Sequence, residues 1–424
     1  MILETFYGGR KVGRLAESRK HPGRILFEFD PEWRNSGFDL SPVKMPLAST
    51  PGIVWFDSPA MMGLPGLFWD SLPDSWGMPL LRQRMRDAGR NPDVSSPLLY
   101  LAHIGARGMG AIEYVPDLLD KEEAESIASL GQLDRDALKI QERGEGEFCA
   151  SELAAILDAG SAVGGARPKA LIYTDRNAVR LSPAKGWEAW IVKLSTVPAD
   201  HKDSKQAGEV EAAFAKMAGI AGIDVPAVRQ FVVDYPKGKR QLFAIQRFDR
   251  DESGRRFHVQ TAAALMHEAP VRGASSYETL ARLSNAISGD QRDVVALFRR
   301  GVFNVLAGNR DDHLKNFSFI MDEKGRWRLS PAYDLTASPG PGGLGVHGRD
   351  QCTAMSGSLR PGVDDMLACA ETLGVEDGRG IIDEVLYALS KWPEIAESCG
   401  VRKSRATTIA GGFAFREISQ KKRL

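Results

Sequence analysis

The chain has 424 residues, a hydrophobic fraction of 43%, and 55 basic residues (Lys plus Arg) against 55 acidic ones (Asp plus Glu). That length allows about two or three domains with a sizeable core. The charge balance excludes a bulk field drawing the protein to nucleic acid or to an anionic membrane, and no apolar run approaches the ~18 residues of a membrane span. The start, MILETFYGGRKVG, lacks a basic-then-apolar signal pattern, and Cys149, Cys352, Cys369 and Cys399 are scattered with no CxxC pair. A reduced, cytoplasmic protein without membrane contact is expected, with neither a zinc site nor a disulfide framework.

Residues 1–115 read as mostly β with turns. Ile25–Phe29 and 53–56 are expected strands, 80–88 a short helix and 111–115 a strand. Residues 116–147 are charged and mostly helical, closed by Gly144-Glu145-Gly146, and read as a connector. Residues 148–250 are mixed. A helix at 151–157 leads into a glycine-rich stretch from Gly160 to Lys169, followed by strands at 170–173 and 189–194. A helix at 209–222 carries Val210, Ala213, Phe214, Met217 and Ile220 at helical spacing, and strands at 228–233 and 242–248 complete a small sheet. Residues 251–424 read as largely helical. The clearest helix carries Val294, Leu297, Phe298, Val302, Val305 and Leu306 and stops at Gly308. A hairpin follows, from 317–321 to Trp327–Leu329.

The segment Asn309-Arg310-Asp311-Asp312-His313-Leu314-Lys315-Asn316 has an Asp, four residues, then an Asn. That is the spacing of a protein-kinase catalytic loop. Asp334 comes after the hairpin, where a kinase carries its metal aspartate, so both carboxylates are expected at one end of that hairpin. In this reading Asp311 accepts the substrate hydroxyl proton, and Asn316 with Asp334 gives oxygens to magnesium beside the ATP phosphates. His313 either touches phosphate or braces the loop, and Lys315 is a candidate for a phosphoryl oxygen. Lys193 ends an apolar strand as the ATP-pairing lysine of kinases does, and Glu211 on the next helix could orient it. Gly160, Gly164 and Gly165 could bring backbone N–H groups to phosphate, with Arg167 and Lys169 adding charge, although no Walker A motif closes the stretch. The backbone of Gln246, Arg247 and Phe248 is the expected hinge facing adenine. Each piece alone has a plain alternative: a polar turn, a solvent-facing lysine, a surface glutamate, a strand end.

Taken together, these residues resemble the HipA family of toxin–antitoxin serine/threonine kinases, over nearly the whole chain. Leu72-Pro73-Asp74-Ser75-Trp76-Gly77 and Ile104-Gly105-Ala106-Arg107-Gly108-Met109-Gly110-Ala111 resemble its N-terminal signatures. Gly164-Gly165-Ala166-Arg167-Pro168-Lys169 is similar to its nucleotide loop, Ile191-Val192-Lys193-Leu194 to its ATP-lysine strand, and Gln246-Arg247-Phe248-Asp249-Arg250 to its hinge. Asp311 to Asn316 and Tyr333-Asp334 match its catalytic and metal segments. The resemblance implies an α+β, two-lobed protein-kinase-like fold related to phosphatidylinositol kinases. A β-rich N-terminal subdomain would be fused to the small lobe, with a mostly helical C-terminal lobe behind. It implies ATP and Mg2+, and phosphorylation of a protein serine or threonine, in the best-known branch on an aminoacyl-tRNA synthetase. It also implies a helix-turn-helix antitoxin that carries most of the contact with operator DNA. Family members often phosphorylate a serine seven residues before the loop lysine. Here that position is Ala162, and its neighbour Ser161 becomes the candidate for self-phosphorylation. Two rival readings stay open, a small-molecule phosphotransferase and a catalytically weak corepressor bound to the antitoxin–DNA complex.

Overall fold

The computed structural model describes residues 1–92, 96–118, 129–143, 165, 167–175, 178–196, 206–235, 238–338 and 349–414. The expected helix at 151–157 and the Gly144-Glu145-Gly146 stop lie outside these residues.

The N-terminal part is an antiparallel sheet of β1 (Ile2–Tyr7), β2 (Arg10–Glu17), β3 (Ile25–Phe29), β4 (Ile53–Val54) and β5 (Ile112–Val115), in the order β4-β3-β2-β1-β5. Alternation sets its faces: Ile25, Phe27 and Phe29 are buried, while Leu26 and Glu28 between them are not. The expected strand at 53–56 ends two residues early. Trp55 turns out under the Arg24 guanidinium and Phe56 packs edge-on to His267, so neither stays in the ladder. Helix α1 (Pro31–Ser36) starts with Pro31, and the Asp30 side chain accepts from the Glu32 N–H at 3.0 Å. Helices α2 (Gly66–Trp69), α3 (Gly77–Asp87) and α4 (Pro97–Ile104) fill the connection from β4 to β5.

Helix α5 (Leu130–Arg143) is more than a connector. Leu130, Leu133, Ala137 and Ile140 form one apolar stripe on it. That stripe, with Trp76 and Leu80, packs on the outer face of a second sheet against Ile172, Trp190, Val192 and Ala244. The second sheet comprises β6 (Lys169–Thr174), β7 (Val179–Arg180), β8 (Glu188–Lys193), β9 (Val228–Tyr235) and β10 (Gly238–Gln246), in the order β7-β6-β8-β10-β9. Helix α6 (Ala207–Ile220) contacts β9 and β10 and joins the main core through Val210, Phe214 and Met217. This sheet and α6 form the small lobe among the described residues.

The rest is mostly helical: α7 (Ala262–Met266), α8 (Tyr277–Ser288), α9 (Gln291–Ala307), α10 (Val363–Thr372), α11 (Gly378–Ser390), α12 (Trp392–Ser398) and α13 (Lys403–Ala410). A strand that the sequence reading did not anticipate, β11 (His258–Thr261), pairs with the expected hairpin of β12 (Ser318–Met321) and β13 (Trp327–Leu329).

The N-terminal subdomain reaches both lobes. Besides the Trp76 and Leu80 contacts to the small lobe, it sits directly on the large one. The Gly66 backbone is so close to α7 that a Cβ there would fall 2.0 Å from the Ala264 carbonyl oxygen. The Gly66 N–H donates to His267 Nε2 at 2.9 Å, and Trp327 Nε1 donates to the Asp39 carbonyl at 3.0 Å. Among the described residues no helix is long and apolar enough to cross a membrane.

Candidate active site

Helix α9 leads into the segment that carries Asp311. Asp290 caps its N-terminus, and Gly308, at φ 72°, ends it in the left-handed region that a glycine adopts without strain. The chain then turns through Asn309, whose Nδ2 donates to Asn304 Oδ1 and to the Asp334 carbonyl, each at 3.0 Å. One asparagine thus joins the two segments that carry Asp311 and Asp334.

The neighbouring aspartates divide the work. Asp312 is fully buried and accepts from the Tyr277 hydroxyl at 2.7 Å, the Cys352 N–H at 2.7 Å and the Thr353 N–H at 3.2 Å. Asp311 therefore points outward, with its side chain 57% exposed at the mouth of the cleft. Burial of its surroundings and the nearby Asp334 charge raise its carboxyl, against the opposing pull of His313 and Arg167. Asn316 Nδ2 donates to the Asp311 carbonyl at 2.6 Å, and His313 Nε2 lies 3.9 Å from Asp311 Oδ1. His313 Nδ1 is buried without a hydrogen-bond partner among the described residues.

Tyr333 and Asp334 close the other side. The Tyr333 hydroxyl donates to the Lys315 carbonyl at 2.8 Å, and its ring stacks with Phe248 at 6.1 Å between centroids. Asp334 sits at φ 52°, a left-handed backbone uncommon for a residue with a Cβ and often found at functional sites. Its carboxylate forms an ion pair with Lys193. Trp190 and Val192 face the outer core, so alternation puts Lys193 on the cleft face of β8. Glu211, on α6 and 4% exposed, pairs with Lys193 at 2.6 Å through one oxygen and with Arg167 at 2.6 Å through the other.

This chain of charges has a clear electrostatic sense. Burial alone would lower the Lys193 ammonium, but Asp334 and Glu211 outweigh it and hold it above its usual range. Burial would raise the Asp334 carboxyl, and the Lys193 and Lys169 charges instead hold it well below. Lys169, opposite Lys193 in the β6–β8 register, is pushed down to about 8, mainly by burial. The cleft thus holds two converging ammonium groups beside an ionised carboxylate.

Of the other expected residues, the Gly165 N–H donates to Asp74 at 2.6 Å, and Lys315 forms an ion pair with that same carboxylate. Ser161, Gly164 and Ala166 lie outside the described residues. At the hinge the Gln246 N–H donates to the Ala227 carbonyl and the Arg247 N–H to the Ala189 carbonyl. The Arg247 side chain turns away from the cleft, into the buried carboxylate of Asp249 at 2.7 Å and the Gly108 carbonyl at 3.2 Å. Of the expected hinge residue Arg247, only backbone is left to face the cleft. A narrow cleft behind Asp334 is lined by Glu211, Phe214, Phe243, Ile245 and Tyr333. A wider, more open one lies at Ala189, Gln246 and Arg250. Asn309, Asp312 and Asp74 escaped the sequence reading. Two adjacent aspartates in a loop were a signal that one is structural. Asp74 stood in a quoted signature with no role attached.

Among the described residues no group of three or more His, Cys, Asp or Glu side chains could hold a metal ion. Magnesium asks for less: it keeps several waters and takes one or two protein oxygens besides those of phosphate. The Asp334 carboxylate and the Asn316 side-chain oxygen fit that donor set.

The fold is that of a two-lobed protein kinase with a β-rich N-terminal subdomain and a mostly helical C-terminal lobe. The HipA N-terminal domain family matches residues 3–115, and the HipA-like C-terminal domain family matches residues 161–414. This chain belongs to the HipA family. It is similar in fold to the HipA chain solved in the Shewanella oneidensis MR-1 toxin–antitoxin complex with HipB and operator DNA. That likeness has a TM-score of 0.68 and covers 99% of this chain and 97% of the other, at 16% identity. Two relatives are named as putative kinases. Y4dM of Sinorhizobium fredii is 34% identical over 169 residues, and a protein of Haemophilus influenzae is 33% identical over 117. These matches cover 37% and 24% of this chain, and span only 39% and 33% of the relatives' own lengths.

Proposed function

We propose that this protein is a Mg-ATP-dependent serine/threonine-protein kinase and the toxin of a toxin–antitoxin module. A helix-turn-helix antitoxin restrains it and supplies most of the contact with operator DNA. The target is a protein of translation, with an aminoacyl-tRNA synthetase as the first candidate. The observation that carries the reading is Lys193. It pairs with Glu211 of the small lobe and with Asp334 of the large lobe, so one ammonium joins the two halves of a nucleotide cleft at the mouth of which Asp311 stands exposed. Kinase activity in proteins of this fold depends on that kind of lysine–glutamate pairing. The neutral overall charge suits a protein that leaves DNA contact to its partner.

In this proposal Lys193 and Lys169 meet the phosphates of ATP, with Gly165 beside the Lys169 ammonium. Asp311 orients the acceptor hydroxyl and takes its proton while the hydroxyl oxygen attacks the γ-phosphorus. The bond to the β–γ bridging oxygen breaks and ADP leaves. Magnesium, when bound at Asp334 and Asn316, neutralises phosphate charge.

Calorimetry with ATP, with and without magnesium, separates the roles. Asp334→Ala and Asn316→Ala weaken binding mainly when magnesium is present, while Lys193→Ala weakens it in both conditions. Equal losses for all three variants in both conditions would overturn the assignment. Incubation with labelled ATP and cell lysate tests the substrate class. A labelled protein band is expected; a labelled metabolite would point to a small-molecule phosphotransferase.

A further inference from the structure

Asp74 belongs to the N-terminal subdomain, yet its carboxylate lies inside the proposed transfer site. One oxygen accepts the Gly165 N–H at 2.6 Å, and the other pairs with the ammonium of Lys315, 241 positions away in the catalytic segment. Both side chains of the pair are largely covered, at 26% exposure for Asp74 and 16% for Lys315. The Lys315 ammonium also lies 4.3 Å from the centroid of the Trp69 ring, so a second residue of the same subdomain holds it. The fold anchors this carboxylate firmly. The Asp74 carbonyl accepts the Met78 N–H at 2.9 Å at the start of α3. Four residues earlier, Asp70 accepts from the N–H and hydroxyl of Thr261, the N-cap of α7, at 2.6 and 2.8 Å. Gly165 has φ 114°, which side-chain-bearing residues rarely adopt, so the backbone that presents its N–H favours glycine.

We propose that Asp74 is a positioning residue through which the N-terminal subdomain completes the transfer site. It fixes the Lys315 ammonium and the Gly165 backbone to one carboxylate. Without it, the Lys315 ammonium would keep, among the described residues, only its contact with Trp69, and the Gly165 backbone would lose its tie to the segment that carries Asp311. The proposal rests on the kinase reading above.

Steady-state kinetics and ATP binding by calorimetry on the full chain test it, with Asp74→Asn, Asp74→Ala, Lys315→Met and the Asp74→Asn/Lys315→Met pair. Asn keeps an acceptor for the Gly165 N–H and loses the charge facing Lys315. Asp74→Asn should lower kcat by roughly 10- to 100-fold while changing the ATP dissociation constant by less than about threefold. Asp74→Ala, which also releases Gly165, should in addition weaken ATP binding. The double variant should be no slower than Lys315→Met alone, because both changes break one interaction. Thermal melts of each variant keep loss of fold apart from loss of positioning. If wild-type protein transfers phosphate and folded Asp74→Asn keeps its kcat, or if the two losses multiply in the double variant, the proposal fails by itself. If wild-type protein transfers no phosphate to any acceptor, the kinase reading falls and takes the proposal with it.

Discussion

Two lysines of adjacent strands, Lys169 and Lys193, share one cleft but differ in their response to pH. Lys193 is held above its usual range by Asp334 and Glu211, whereas burial pushes Lys169 down to about 8. The folded value for Lys169 lies below the ordinary lysine value, so between about pH 8 and 10.5 the folded protein binds fewer protons than the unfolded chain. In that window its contribution to stability rises with pH. The contribution proposed for it in phosphate binding runs the other way, because the charge is lost. Nucleotide affinity should fall about fivefold from pH 7 to pH 9, roughly the worth of one partly screened charge. Residual binding should persist, because Lys193 stays charged. In Lys169→Gln the affinity should be lower at pH 7 and nearly flat over the same range. A slope equal to that of the wild type would rule out Lys169 as its source.

At the scale of single elements, the loop after α9 is held by what it buries. Asp312 gathers the Tyr277 hydroxyl and the Cys352 and Thr353 N–H groups, and Gln351 Nε2 adds a contact at 3.2 Å. Asp312→Ala would leave these donors without their acceptor, at a cost of about 2–4 kcal/mol read by urea unfolding. Phosphate transfer should fall with it, because Asp311 is aimed by its neighbour. An unchanged midpoint would mean that water replaces the carboxylate freely. Much at this scale was legible in the sequence. The stripe from Val294 to Leu306 with Gly308 behind it gave helix α9, and the spacing from Asp311 to Asn316 gave the loop at its end. The role of Asp312 was not legible, because its partners lie in α8 and in residues 351–353, which no local pattern links to it. Helix α5 was legible as a helix. That its apolar stripe covers the small lobe depends on a sheet whose strands begin some 26 residues further on.

At the scale of the whole molecule, a charged cluster is buried where the N-terminal subdomain meets the kinase lobes. Asp249, fully buried, pairs with Arg247 at 2.7 Å and Arg250 at 2.8 Å, and accepts the Gly110 N–H at 2.8 Å. Burial opposes its charge, but the two guanidiniums outweigh that and hold its carboxyl well below the usual range. Asp249→Ala would strand two buried cations and should destabilise the protein by about 3–5 kcal/mol, seen as a lower midpoint or an earlier, separate transition for one part. A melting curve unchanged from the wild type would show that the junction contributes little. The sequence reading gave the subdomain and its signatures but not its reach into the cleft. Asp74 meets Gly165 and Lys315 only once the chain has folded back across two lobes.

The central claim is phosphate transfer from ATP with Asp311 as the group that takes the hydroxyl proton. Purified wild-type protein and Asp311→Asn, each with magnesium and ATP labelled at the γ-phosphate, would be mixed with cell lysate and the labelled protein counted over time. Wild type should label a protein band, and Asp311→Asn should fall by roughly 10²–10⁴ in rate with an unchanged melting curve. Near-normal labelling by a folded Asp311→Asn protein would contradict that role, and no labelling by the wild type would contradict the function itself.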